Sequence, residues 1–177
     1  MCGITGYLGD GDSVGLVEQG LANLEYRGYD SAGIAVVDDE TDVYKKEGTI
    51  DGISLPEESG ATCGIGHTRW STHGPPSDRN AHPHTDCTGD VAVVHNGIIS
   101  NYHELKEELE GHIFESDTDT EVIPHLLEEE LAEGADLLPA VQRVLDRLEG
   151  SFAIAVAQAG EERMIGARQD SPLVVGH

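Results

Sequence analysis

Apolar residues recur along this chain with two periods, and the switches between them divide it into elements. Residues 2–8 (CGITGYL) are apolar and glycine-rich, as a buried strand is, and the strand reads from Met1. Between 13 and 26, Val14, Val17, Leu21 and Leu24 return at helical spacing and predict an amphipathic helix. Residues 31–37 and 41–46 read as a hairpin turning through the acidic stretch 38–40. Strands are predicted at 61–67 and 91–94, each running straight into a polar motif. A helix follows over 101–109, with Asn101 and Glu104 as a cap pair. Thr118 and Glu121 have the spacing of a capping box, and Val122, Ile123, Leu126, Leu127 and Leu131 then give one buried face. A further helix is predicted over 137–148, with Pro139 tolerated in its first turn. Strands at 151–157, 164–167 and 173–175 complete the pattern. This order predicts an α+β fold of mixed layers, because helices and strands do not alternate as in βαβ units. No internal repeat or low-complexity segment interrupts it, and 177 residues suffice for one domain with a substantial core.

Charge narrows the choice of partner. The chain has 34 acidic and 10 basic residues, a formal net charge of −24. That excess repels nucleic acid and anionic membranes, and it costs stability by self-repulsion. The acids are spread over many segments, with no run longer than those at 38–40 and 128–130, so they form a solvated surface and no discrete tail. Scarce lysine and few large aromatics also fit a halophile, since screening shrinks the Debye length to about 3 Å at 1 M salt. Cys2, Cys63 and Cys87 make an odd count, and residues 1–8 lack the basic and long apolar regions of a secretory leader. A reduced cytoplasm is therefore expected. No segment approaches the roughly 20 apolar residues of a membrane helix.

The chemistry begins at Cys2. Once Met1 is trimmed, a thiol and an α-amino group share one residue. An α-amino group has a reference pKa of about 7.7–8.0, so near neutral pH it can accept the thiol proton, directly or through a water. Further along, Asn96 and Gly97 follow an apolar strand and can aim two N–H donors at one oxygen, although Asn-Gly is also a common hairpin turn. Arg69, at a strand end, has the planar fork that grips a carboxylate from two points; a surface ion pair is its plain alternative. Trp70, Thr72 and His73 lie in a loop bounded by Gly74, Pro75 and Pro76. Asp119 falls at the start of the helix after Thr118, where the dipole alone favours an acid by roughly 0.3–1 kcal/mol.

Taken in order, CGITGY at 2–7, LEYRGYDSAG at 24–33, GIGHTRWSTHG at 64–74, NAHPH at 80–84, HNG at 95–97 and SDTDTE at 116–121 resemble the glutaminase domain of the glutamine–fructose-6-phosphate aminotransferases, a family of N-terminal-nucleophile amidotransferases. CGI and HNG alone would indicate only the wider class; Tyr29 in its block and the blocks at 80–84 and 116–121 point to the sugar enzymes. The resemblance implies a four-layer αββα sandwich, two antiparallel sheets between helical layers. It implies L-glutamine as substrate, hydrolysed through a Cys2 γ-glutamyl thioester, with no cofactor. Asn96 and the Gly97 backbone would stabilise the tetrahedral intermediate, and Arg27 would orient the Cys2 region or the substrate. Arg69, Thr72 and His73 would meet the α-carboxylate end, Trp70 would be a lid, and Tyr29 a wall of the pocket. Asp119 would take the α-ammonium group, with Asp117 the competing choice. His95 receives no proton-transfer role. The resemblance also implies that 1–177 is one glutaminase domain that continues beyond residue 177. Sugar-isomerase domains would follow in the same polypeptide, in a parent enzyme that is a homodimer.

Two other readings compete. His67, His73, His82, His84, Cys63, Cys87 and His95 crowd one third of the chain and could be taken for zinc ligands, but their spacing matches no common finger or metalloprotease pattern. No metal is therefore expected. An inactive binding domain descended from the family is the other, and the joint retention of Cys2, Arg69, Asn96, Gly97 and Asp119 argues against it.

Overall fold

Two four-stranded antiparallel sheets lie face to face in the computed structural model, which describes residues 2–57 and 59–176. The Met1 end of the predicted first strand lies outside the described residues, as does His177. Strands β1 (Gly3–Leu8), β2 (Ser31–Val37), β3 (Thr41–Glu47) and β4 (Cys63–Arg69) form the first sheet in the order β1-β4-β2-β3. Strands β5 (His84–Thr85), β6 (Val91–Ile99), β7 (Gly150–Gln158) and β8 (Met164–Gln169) form the second in chain order. Small and branched side chains fill the space between them: Ala35, Val37, Cys63 and Ile65 from one sheet meet Ala92, Val94, Ala155 and Ala157 from the other. This is why β2 and β4 are buried at every position and show no alternation. Edge strand β3 carries Asp42, Lys45, Lys46 and Glu47, charges that discourage pairing with another chain.

Helices cover the outer faces. Helix α1 (Ser13–Leu24) packs Val14, Val17 and Leu21 against the first sheet, and Asp12 caps it by accepting from the Gly15 N–H at 3.0 Å. Its last predicted turn tightens into a 3-10 turn, Glu25–Arg27, which delivers Arg27 to the sheet's end. Helices α2 (Tyr102–Glu108), α3 (Val122–Ala132) and α4 (Leu137–Arg147) cover the second sheet, α3 through the apolar face read from the sequence. Helix, sheet, sheet and helix make the expected four layers.

Three local expectations are corrected. The Asn101 side chain does not cap α2; it donates to the Arg147 carbonyl and accepts from the Glu149 N–H, joining the ends of α2 and α4. Thr118 and Glu121 form no capping box. Glu121 accepts from the Glu115 and Ser116 N–H groups, both at 2.7 Å, and Thr118 Oγ1 lies 3.1 Å from His84 Nε2. Residues 173–175 form no strand: the segment is irregular, Val174 and Val175 are exposed, and Leu173 and Val174 line the cavity described next.

Candidate active site

A cavity of about 680 Å³ opens where the ends of β1, β4 and β6 meet. Pairing of Gly3 with Thr68 brings the residue before β1 beside the residues after β4. Cys2 Sγ therefore sits against the Trp70 backbone, accepting from its N–H at 3.2 Å and lying 3.4 Å from its carbonyl oxygen. Burial pushes the Cys2 thiol up from its ordinary value, while the Trp70 hydrogen bond and the Arg69 charge pull it back. Cys63, in the apolar layer between the sheets, has no such help, and burial pushes it up to about 11. Close approach sets the neighbourhood too. A Cβ on Gly28 would stand 2.7 Å from the Arg69 carbonyl carbon.

Asn96 bridges the two sheets at this point. Its Nδ2 donates to the Cys2 carbonyl at 3.2 Å, and its Oδ1 lies 2.9 Å from His67 Nε2. Burial holds His67 down to about 3, so the ring is neutral at physiological pH. An amide oxygen only accepts, so the His67 proton sits on Nε2, which fixes the amide with its N–H2 toward Cys2. Gly97 follows at φ +133° with a Cβ position only 1.9 Å from the Ser151 oxygen, a place open to glycine alone. The HNG motif thus lies inside β6, which runs on past residue 94, and Asn-Gly makes no turn here.

Arg69 is only 3% exposed. Its Nη2 donates to the His73 and Gly74 carbonyls, which arch the loop over it, and its Nη1 is buried without a partner among the described residues. Burial lowers the guanidinium pKa, opposed by Cys2, Asp119 and Asp30 nearby. Asp119 is 4% exposed, and its Oδ2 accepts from the Ile99 N–H at 2.7 Å. A buried cation with an unused donor and a buried carboxylate thus line the same cavity as a thiol.

The glutamine amidotransferase domain model matches residues 67–177. The chain belongs to the glutamine amidotransferase family. Across its whole length it is 58% identical to the glutamine–fructose-6-phosphate aminotransferase (isomerizing) of Halobacterium salinarum. Against the enzyme of the same name from Thermococcus kodakarensis it is 52% identical over 99% of the chain. It spans about 30% of the length of these relatives. Among solved structures it resembles the glutamine phosphoribosylpyrophosphate amidotransferase of B. subtilis, with a TM-score of 0.77 and 29% identity over 95% of this chain and 37% of that one. A structure described as the allosteric regulatory enzyme of purine biosynthesis matches with a TM-score of 0.80 and 28% identity over the same shares. The αββα sandwich is that of the N-terminal-nucleophile amidotransferases.

Within this amidotransferase domain, Cys2, Arg27, Arg69, Trp70, Thr72, Asn96, Gly97 and Asp119 all line the one cavity. His73 does not; it gives its carbonyl to Arg69 and sets its ring edge-on to Tyr102. Tyr29 is no wall of the cavity. It stands edge-on to the half-exposed Trp70 ring at 5.3 Å. Asp117 pairs with Arg79 at the surface and lies outside the lining, which separates it from Asp119. Three residues have roles here that the sequence did not assign them. His67 orients Asn96, Asp30 accepts from the Ser71 N–H at 2.8 Å and pins the Trp70 loop, and Thr120 joins His82 to His95 through its hydroxyl. All three lie within motifs of the resemblance, but polar type alone does not reveal a partner.

Proposed function

We propose that the domain hydrolyses L-glutamine to glutamate and ammonia, with Cys2 as its N-terminal nucleophile after removal of Met1. The convergence of a thiol, an oriented amide, a buried guanidinium with one unused nitrogen and a buried carboxylate in one cavity carries this reading. The α-amino group of Cys2 takes the thiol proton as sulfur bonds to the side-chain amide carbon. The Asn96 Nδ2 and the Gly97 N–H receive the developing oxyanion, where loss of one donor typically costs about 3–4 kcal/mol. The C–N bond then breaks, the proton passes to the leaving nitrogen, and ammonia departs from a γ-glutamyl thioester. Water attacks the thioester, releasing glutamate and the free thiol. Arg69 meets the α-carboxylate through Nη1, with Thr72 beside that end of the substrate and His73 acting only through the carbonyl that holds the guanidinium. Asp119 meets the α-ammonium group, Arg27 orients the Cys2 segment, and Trp70 covers the bound substrate. No cofactor or metal takes part in these steps.

We infer that the ammonia serves to aminate fructose 6-phosphate to glucosamine 6-phosphate, in sugar-isomerase domains of the same polypeptide and in a homodimer. Support is the 58% identity to one such enzyme and the 30% share of its length that this domain spans. A cytoplasmic setting fits the free thiols, and the acidic composition fits a saline one. Cys2→Ser should nearly abolish release of ammonia from glutamine, while Cys63→Ser should leave it largely intact, as read by a coupled glutamate assay. Equal loss in both variants would contradict the assignment.

A further inference from the structure

Cys87, His112, His125 and Glu128 converge away from the glutamine site. Cys87 lies in the turn between β5 and β6, His112 between α2 and α3, and His125 and Glu128 one turn apart on α3. Cys87 Sγ is 3.6 Å from Nδ1 of His112 and 3.6 Å from Nδ1 of His125. Glu128 Oε2 is 3.0 Å from the first of these nitrogens and 3.4 Å from the second. The four atoms all lie within 4.8 Å of one another. Zinc bonds of about 2.3 Å to sulfur and 2.0–2.2 Å to nitrogen or oxygen, at tetrahedral angles, separate S from N by about 3.5 Å and N from O by about 3.4 Å. Both S–N edges of 3.6 Å and the 3.4 Å N–O edge are those of such a tetrahedron, and the second N–O edge, at 3.0 Å, is tighter.

The surroundings match a metal centre as well. Each imidazole turns Nδ1 inward and Nε2 toward a carboxylate: His112 Nε2 is 3.7 Å from Glu129 Oε1, and His125 Nε2 is 3.9 Å from Glu121 Oε1. An outer carboxylate on the second ring nitrogen is the usual support of a zinc-bound histidine, because it fixes the tautomer. The Ile113 N–H points at Cys87 Sγ from 3.5 Å, placed to donate to a thiolate. His125 is 1% exposed, and its Nε2 has no hydrogen bond among the described residues.

We infer that Cys87, His112, His125 and Glu128 bind one zinc ion in a closed tetrahedral site. On binding, the Cys87 thiol releases its proton to solvent and both rings bind as neutral imidazoles with the proton on Nε2. Thiolate and carboxylate together balance the charge of the ion. Four protein ligands leave no position for a reactive water, so the site is structural. The ion ties the β5–β6 turn and the His112 segment to α3, and it does so on both sides of the stretch that carries Asp119. The ligands are separated by 24, 12 and 2 residues, a spacing outside the common zinc signatures.

The test is metal content and cobalt spectroscopy on untagged protein, loaded with zinc and dialysed against a weak chelator. We expect one retained zinc per chain. Cobalt in its place should show a thiolate-to-metal band and the intense visible bands of a tetrahedral ion. Cys87→Ser should remove the thiolate band and weaken zinc binding by more than the roughly 10- to 100-fold that loss of an outer partner costs. Glu128→Gln should weaken binding likewise, with far-ultraviolet circular dichroism reporting that both variants are folded. Stripping zinc should lower the Tm of the parent protein and leave that of Cys87→Ser unchanged. Absence of retained zinc, or equal retention in Cys87→Ser, would overturn the site.

Discussion

The sulfur of Cys2 is held between the N–H and carbonyl of Trp70, while Asn96 grips the carbonyl of the same cysteine. These contacts assign separable roles to individual side chains. Asn96→Ala removes a donor needed mainly when the oxyanion forms, so kcat for glutamine hydrolysis should fall by roughly 10²–10³ with KM little changed. Asp119→Ala removes a contact shared by ground and transition states, and should mainly raise KM. Steady-state kinetics on both variants checks the division, and it is wrong if Asn96→Ala changes KM alone. Sequence made Cys2, Arg69, Asn96 and Asp119 legible because their side-chain chemistry suits a step and each sits in a recognisable motif. It could not reveal His67 as the residue that orients Asn96, or Asp30 as the anchor of the Trp70 loop. Those pairings span 29 and 41 residues and exist only once the strands have aligned.

Behind Asn96 lies a layer of buried imidazoles contributed by β4, β5, β6 and the loop before β5. His82 stacks on His67 at 4.3 Å and meets His84 at 4.6 Å, and Thr120 bonds both His82 and His95. Burial lowers all four, His67 to about 3 and His95 to about 4. A histidine whose folded pKa is depressed keeps its full stability only above the unfolded value of about 6.5. Below it the unfolded chain binds protons that the native state refuses, so stability falls as pH falls. His67 and His95 together should cost roughly 4 kcal/mol between pH 7 and pH 5, at about 1.4 kcal/mol per proton and pH unit. Urea denaturation in molar KCl, which screens the surface carboxylates, measures this; stability that is flat or rising toward pH 5 would contradict it. The same layer shows where reading by periodicity stops. Helices α1, α3 and α4 and the central strands followed their apolar spacing. Residues 173–175 are as apolar as a strand, but no strand pairs with them and they edge the cavity. Thr118 and Glu121 had a capping spacing, yet Glu121 satisfies the loop N–H groups of Glu115 and Ser116 at the approach to α3.

Apart from a buried few such as Arg69 and Asp119, the four layers leave the charged residues on the outside, where few cations answer the acids. The arginine–carboxylate pairs Arg79–Asp117, Arg143–Glu130, Arg147–Glu108 and Arg163–Glu161 are largely solvent-exposed, and such pairs contribute only about 0–1 kcal/mol each. Self-repulsion of a −24 chain therefore goes largely uncompensated by contacts. Tm should rise as KCl goes from tens of millimolar to molar, by roughly 2–4 °C per kcal/mol of repulsion relieved. A neutral osmolyte at matched osmolality should do less, because it screens no charge. A Tm that is flat or falling with KCl would mean the acidity is ordinary surface solvation. The catalytic account does not depend on that outcome. It depends on one sulfur among three, and labelling distinguishes them directly. The protein should be incubated with a glutamine-mimicking electrophile, weighed intact and mapped by peptide mass spectrometry. A single adduct on a chain that lacks Met1, located on Cys2 and prevented by excess glutamine, is the predicted result. An adduct on Cys63 or Cys87, or full labelling of Cys2 with Met1 still attached, would contradict an N-terminal thiol that carries its own base.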